Sequence, residues 1–139
     1  MIMKYTVEFL SSRVSWLDKS DDTIIYHELP HASTETVDHF IMSVAKLCKT
    51  NPKAKYLVID LSEAELPTAE LRRHISESFK EHVTLVEAIC VFSDKSKLIN
   101  IAAQFIISFQ PGLFKGMSVH SDLAHCLTKI ENVKKAKPT

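Results

Sequence analysis

The chain has 139 residues, of which only Gly112 and Gly116 are glycine, and its 17 basic and 17 acidic side chains cancel. An average domain of this length would carry roughly ten glycines. That inventory excludes the three-glycine dinucleotide fingerprint and the glycine-rich phosphate loop, and charge balance removes the basic excess expected of a nucleic-acid binder.

In chain order, Tyr5, Val7 and Phe9 alternate with Thr6 and Glu8, a period of two that predicts a strand. Val14 and Trp16 flank Ser15 and predict a second strand, completing a hairpin. Residues 23–28 are rich in β-branched and aromatic side chains and predict a third, stopped by Pro30. From Ser33 the apolar period changes to three and four through Val37, Phe40, Ile41, Val44 and Leu47, which predicts a helix capped by Ser33. Residues 56–61 are almost continuously apolar and end at Asp60-Leu61, the pattern of a central parallel strand. Pro67 opens a second helix through Leu71, Ile75 and Phe79. Residues 88–92 read as another buried strand. A third helix follows, capped by Ser93 or Asp94 and ended by Pro111-Gly112. A short strand at 116–119 precedes a fourth helix, capped by Ser121, with Leu123, Leu127 and Ile130 inward.

Three strands followed by alternating helices and strands define an α/β fold. The expected sheet is mixed, with antiparallel N-terminal strands, a parallel core and about four helices. A single domain is expected over residues 1–131, with 132–139 as a frayed basic tail. Cys48, Cys90 and Cys126 are odd in number and far apart, which fits a reducing compartment better than a disulfide framework. The first residues show no leader-type apolar run. The longest apolar stretch spans about 18 Å as a helix, short of a bilayer core of about 30 Å. A soluble cytoplasmic protein without a membrane span is the expectation.

Chemistry-bearing residues are sparse. Asp60 stands at a strand's carboxyl end, followed by Ser62, Glu63 and Glu65, but no phosphate loop accompanies it, and a backbone-capping carboxylate is the simpler reading. Seven histidines are present, yet no spacing brings three or four onto one metal. His27 and His31 are separated by Pro30 and cannot share a helix face. Cys90 lies within a buried strand, and Cys126 beside His125 points about 100° away from it on a helix. No catalytic residue, metal or cofactor is assigned.

The third helix is the most informative segment. Lys97, Asn100, Gln104 and Ser108 form one narrow polar stripe and the remaining positions are apolar. If Leu98, Ala102, Phe105 and Phe109 face the sheet, then Ile99, Ala103, Ile106 and Ile107 are surplus to it. Something must cover them, since large exposed apolar patches are rare on monomers: either burial within the chain, under a neighbouring helix or the Phe114 loop, or a ligand or partner surface that they form with Phe114.

Asp60-Leu61-Ser62 at a buried strand end, the helix after it, the strand ending at Ser93-Asp94, the apolar helix, and Ser121-Asp122 opening the last helix together resemble STAS-type domains. The likeness is greatest to the SpoIIAA-like branch, grouped structurally with CRAL-TRIO-like lipid-carrying modules. It covers residues 20–131. The resemblance implies a non-enzymatic domain that acts through protein partners or binds small or apolar ligands, and the surplus apolar side of the third helix points to a second copy of the chain as the partner. Phosphorylated members have a glycine after the Asp-Leu-Ser and an Asp-Ser at the next helix. Here Glu63 and Pro67-Thr68 stand in those places, which leaves Thr68 as the candidate phosphoacceptor. The alternative to the interaction role is a carrier or sensor of a small apolar molecule held between the third helix and the sheet.

Overall fold

Strands that follow one another in sequence lie side by side in space. The computed structural model of the chain describes residues 5–82, 86–109 and 116–136. Its single sheet has the order β1 (Val14–Trp16), β2 (Thr23–His27), β3 (Tyr56–Asp60), β4 (Ala88–Phe92), β5 (Met117–His120). β1 is antiparallel to β2 and the other pairings are parallel. The helices are α1 (Val7–Ser12), α2 (Thr34–Thr50), α3 (Ala69–His82), α4 (Lys97–Phe109) and α5 (Leu123–Ala136). This is the α/β mixed sheet that the alternation of patterns predicted. None of the described helices is long and apolar enough to cross a membrane.

The first expected strand is instead helix α1. The Thr6 hydroxyl accepts from the Phe9 amide at 3.1 Å and caps the first turn. Of this segment only Leu10 is buried, whereas Val7 and Phe9 remain exposed. The alternation of Tyr5, Val7 and Phe9 therefore never marked a core face.

Elsewhere the period-two alternation sorts each strand between two layers. Ile24, Tyr26, Leu57, Ile59, Ile89 and Val91 face a cluster built with α2 and α3, against which Ala103 and Ile107 of α4 pack. Ile25, Val58, Cys90 and Phe92 face Cys126 and Ile130 of α5. Three right-handed crossovers through strands in sequential order put α2, α3 and α4 on the same side, leaving α5 to cover the other. That helix continues past residue 131: Val133 packs on the core, and the Lys134 ammonium lies 2.9 Å from Asp22. Its cap is Asp122, which accepts from the His125 amide at 2.9 Å, rather than Ser121.

Two local devices set the α4 edge of the sheet. Gly116 passes so close to β4 that a Cβ there would lie 2.7 Å from the Glu87 carbonyl oxygen, which makes glycine obligatory. At the start of α4 the cap is Ser96, whose hydroxyl accepts from the Ile99 amide at 3.2 Å. Asn100 does not face solvent with the polar stripe. Its carboxamide accepts from the Ser93 amide at 2.8 Å and donates to the Ser93 carbonyl at 2.9 Å. This clamp ties the helix to the end of β4 and fixes its rotation.

Replacing Asn100 by Ala leaves the backbone groups of buried Ser93 without these partners. We expect Asn100→Ala to lower the unfolding free energy by about 1–3 kcal/mol, measured by urea denaturation. A change within about 0.5 kcal/mol, the range of ordinary surface substitutions, would show that the clamp does not hold α4.

Candidate functional site

Five strands spaced by about 4.8 Å give a face about 24 Å wide, while three helices at spacings of about 8–10 Å need up to about 30 Å. Three helices fill that width with nothing to spare. Helix α3 makes its main backbone contacts with α2 rather than with a strand. Under it is a cavity of about 130 Å³, floored by Tyr26, Ile59, Val91 and Met117 and walled by α2, α3 and α4. Apart from Glu28, Glu65 and the Tyr26 hydroxyl, the described lining groups are apolar. Tyr26 stacks on Phe40 with ring centroids 3.9 Å apart, and Phe40 meets Phe79 edge-on at 6.5 Å, so one wall is a run of three aromatic rings.

The clamp at Asn100 decides which face of α4 lines this space. With about 100° per residue, Ile99, Ala103 and Ile107 fall together on one side of Asn100. All three line the cavity, and Ile99 is buried. Leu98, expected to face the sheet, is 59% exposed, and Ile101 is 64% exposed. Ala102 also reaches the cavity. The Ile106, Phe105 and Phe109 side chains and all of Phe114 lie outside the described residues.

The polar end of the cavity belongs to β2 and the residues just after it. Glu28 Oε1 accepts from the Tyr26 hydroxyl at 2.6 Å and from the Leu29 amide at 2.9 Å. Burial raises the Glu28 carboxyl above its ordinary value, against the lowering effect of those two hydrogen bonds and of Arg13. The Tyr26 hydroxyl is likewise pushed up, by burial and then by the adjacent Glu28. Arg13 locks the segment from outside, donating to the carbonyls of His27 and Glu28 and pairing with Glu63 at 2.7 Å. The sequence reading missed Glu28 and Arg13. One signal was present for Glu28: it shares the parity of Ile24 and Tyr26, and a carboxylate on a core-facing register is unusual.

The other candidates are dispersed. Asp60 and His27 are partners across the β2–β3 ladder and meet at 2.9 Å, but their parity puts them on the α5 side, away from the cavity. Asp60 also accepts from the Ser62 amide at 2.9 Å. Burial would raise the Asp60 carboxyl, yet hydrogen bonds from Ser62 and His27 outweigh it and hold it below its ordinary value. His31, His74 and His125 each pair with a different carboxylate, Glu65, Asp38 and Asp122. Among the described residues no three His, Cys, Asp or Glu side chains are grouped to hold a metal. Thr68 is exposed and caps α3, its hydroxyl accepting from the Leu71 amide at 3.1 Å. Cys90 and Cys126 are fully buried between the sheet and α5, and Cys90 Sγ lies 3.7 Å from Ser118 Oγ.

No protein-family model and no curated protein matches the chain.

The raised Glu28 pKa has a signed consequence. In the unfolded chain this carboxyl titrates near its ordinary value of 4.5. The folded state holds the proton to higher pH, so ionisation of Glu28 costs stability as pH rises from 4.5 through the folded-state value. Relative to the wild type, Glu28→Gln should therefore gain stability as pH rises from 4.5 through the folded-state value, followed by urea denaturation at each pH. A stability difference that is flat or falls with pH would contradict the burial of this carboxyl.

Proposed function

We propose that the chain is a non-enzymatic α/β binding domain that holds one compact apolar molecule between α4, α3 and the sheet. The observation that carries this reading is the 130 Å³ cavity with its apolar lining. An apolar void of about 150 Å³ stays dry and accepts benzene, whereas drug-sized ligands occupy on the order of 300–1,000 Å³. The volume therefore selects a single ring or a short alkyl chain. The acid–base pair at the strand ends, His27 with Asp60, faces the opposite layer, which supports binding rather than turnover in the cavity. Free thiols at Cys48, Cys90 and Cys126 suit a reducing cytoplasmic setting.

Saturating benzene should raise the melting temperature, because a ligand that binds only the folded state stabilises it by mass action. Ala103→Phe, which puts a ring into the cavity, should abolish that rise while unfolding stays cooperative. No rise for the wild type, or an undiminished rise for the variant, would defeat the reading.

A second reading is favoured by Leu98 and Ile101, which leave two large apolar side chains one turn apart on the outer face of α4. A partner-binding role, with a second copy of the chain as partner, would cover them, in keeping with the interaction role that the STAS resemblance implies. Under that reading the wild type sediments as a dimer, and Ile101→Lys shifts it to monomer without unfolding it. A wild type that stays monomeric at high concentration would remove self-association.

A further inference from the structure

The cavity is apolar along its length but not at its end. Among its described lining residues the only ionisable side chains besides Tyr26 are Glu28 and Glu65; no Lys, Arg or His is present. Glu65 stands at the open side, with its side chain 65% exposed. Glu28 is the more telling of the two. Both of its hydrogen bonds, from the Tyr26 hydroxyl and the Leu29 amide, end on Oε1. Its second oxygen accepts nothing among the described residues. Arg13, the cation nearest this segment, is engaged elsewhere, on the His27 and Glu28 carbonyls and the Glu63 carboxylate.

A half-desolvated carboxylate with a vacant oxygen beside an apolar cavity selects among ligands by their head groups. A carboxylate or phosphate head would meet the like charge of Glu28, and the only side-chain donor among the described lining residues is the Tyr26 hydroxyl, already given to Glu28. A pure hydrocarbon would leave the second oxygen unsatisfied. A donor head satisfies it, and a cationic donor also offsets the charge that burial makes unfavourable.

Resting on the cavity reading above, we propose that the ligand is a small primary amine with a single-ring or short alkyl body, its ammonium donating to Glu28 Oε2. The body would lie along the Tyr26–Phe40–Phe79 wall. Because Glu28 Oε1 keeps its bonds to Tyr26 and Leu29, the head-group contact adds to the existing network without breaking it. The Glu65 carboxylate, 3.4 Å from His31 Nδ1, stands on the path from solvent.

The test uses four probes with the same ring: toluene, benzyl alcohol, benzylamine and benzoate. Affinities are measured by ligand-observed NMR titration against the full chain and against Glu28→Gln, a variant that keeps an acceptor for Tyr26 and Leu29. For the wild type we expect benzylamine to bind about tenfold more tightly than toluene, as a charge-assisted hydrogen bond allows, with benzyl alcohol between them and benzoate weakest. In Glu28→Gln the benzylamine advantage should vanish, while toluene affinity stays within about twofold. Toluene binding without an amine preference, or a preference that survives in Glu28→Gln, overturns this proposal and leaves the cavity reading standing. If no probe binds, toluene included, both fall together.

Discussion

The handedness of three consecutive crossovers is the constraint on which the helical face depends. Parallel strands laid down in sequential order, each joined by a right-handed connection, send α2, α3 and α4 to one side. That side is barely as wide as three helices lying flat need. Helix α3 rests mainly on α2, and the room left beneath α3 is the cavity. The opposite face has only α5 to accommodate, and Cys126 and Ile130 are fully buried against it.

Given that layout, one side chain governs what the cavity is made of. The apolar arc of α4 is wide, so hydrophobicity sets its inward face only coarsely. The Asn100 carboxamide pins one rotation within that arc by pairing with both backbone groups of Ser93. Ile99, Ala103 and Ile107 then turn inward, while Leu98 and Ile101 turn out. A polar residue thus sets the orientation of an apolar helix, since its hydrogen-bond geometry is directional and dispersion contacts are not.

The chemistry at the cavity's end follows from the same economy of space. Glu28 is drawn toward the core layer by the register of β2 and kept there by Tyr26 and the Leu29 amide, while Arg13 closes the segment from outside. The result is a carboxylate with one oxygen committed and one open, at the rim of an aromatic wall. His27 and Asp60, one register step away on either strand, belong to the other layer. In a sheet, adjacent positions point to opposite faces.

Much of the fold was legible in the chain itself. The run at 56–60, the five apolar residues of β4, the Ser33 cap and the change from period two to period three-and-four fix the α/β mixed sheet, because binary pattern and capping are local properties. Local pattern failed at residues 5–9, where a two-step alternation belongs to a helix capped by Thr6 with most of its length exposed. The candidate site was half legible. Ile99, Ala103 and Ile107 were singled out for an excess of apolar surface on their helix, but whether they faced solvent or a cavity was not written in the helix. That depended on Asn100 reaching a backbone seven residues away, on α3 resting upon α2, and on a carboxylate at the end of β2 coming to the same space. Those are contacts between elements, and their geometry exists only once the chain has folded.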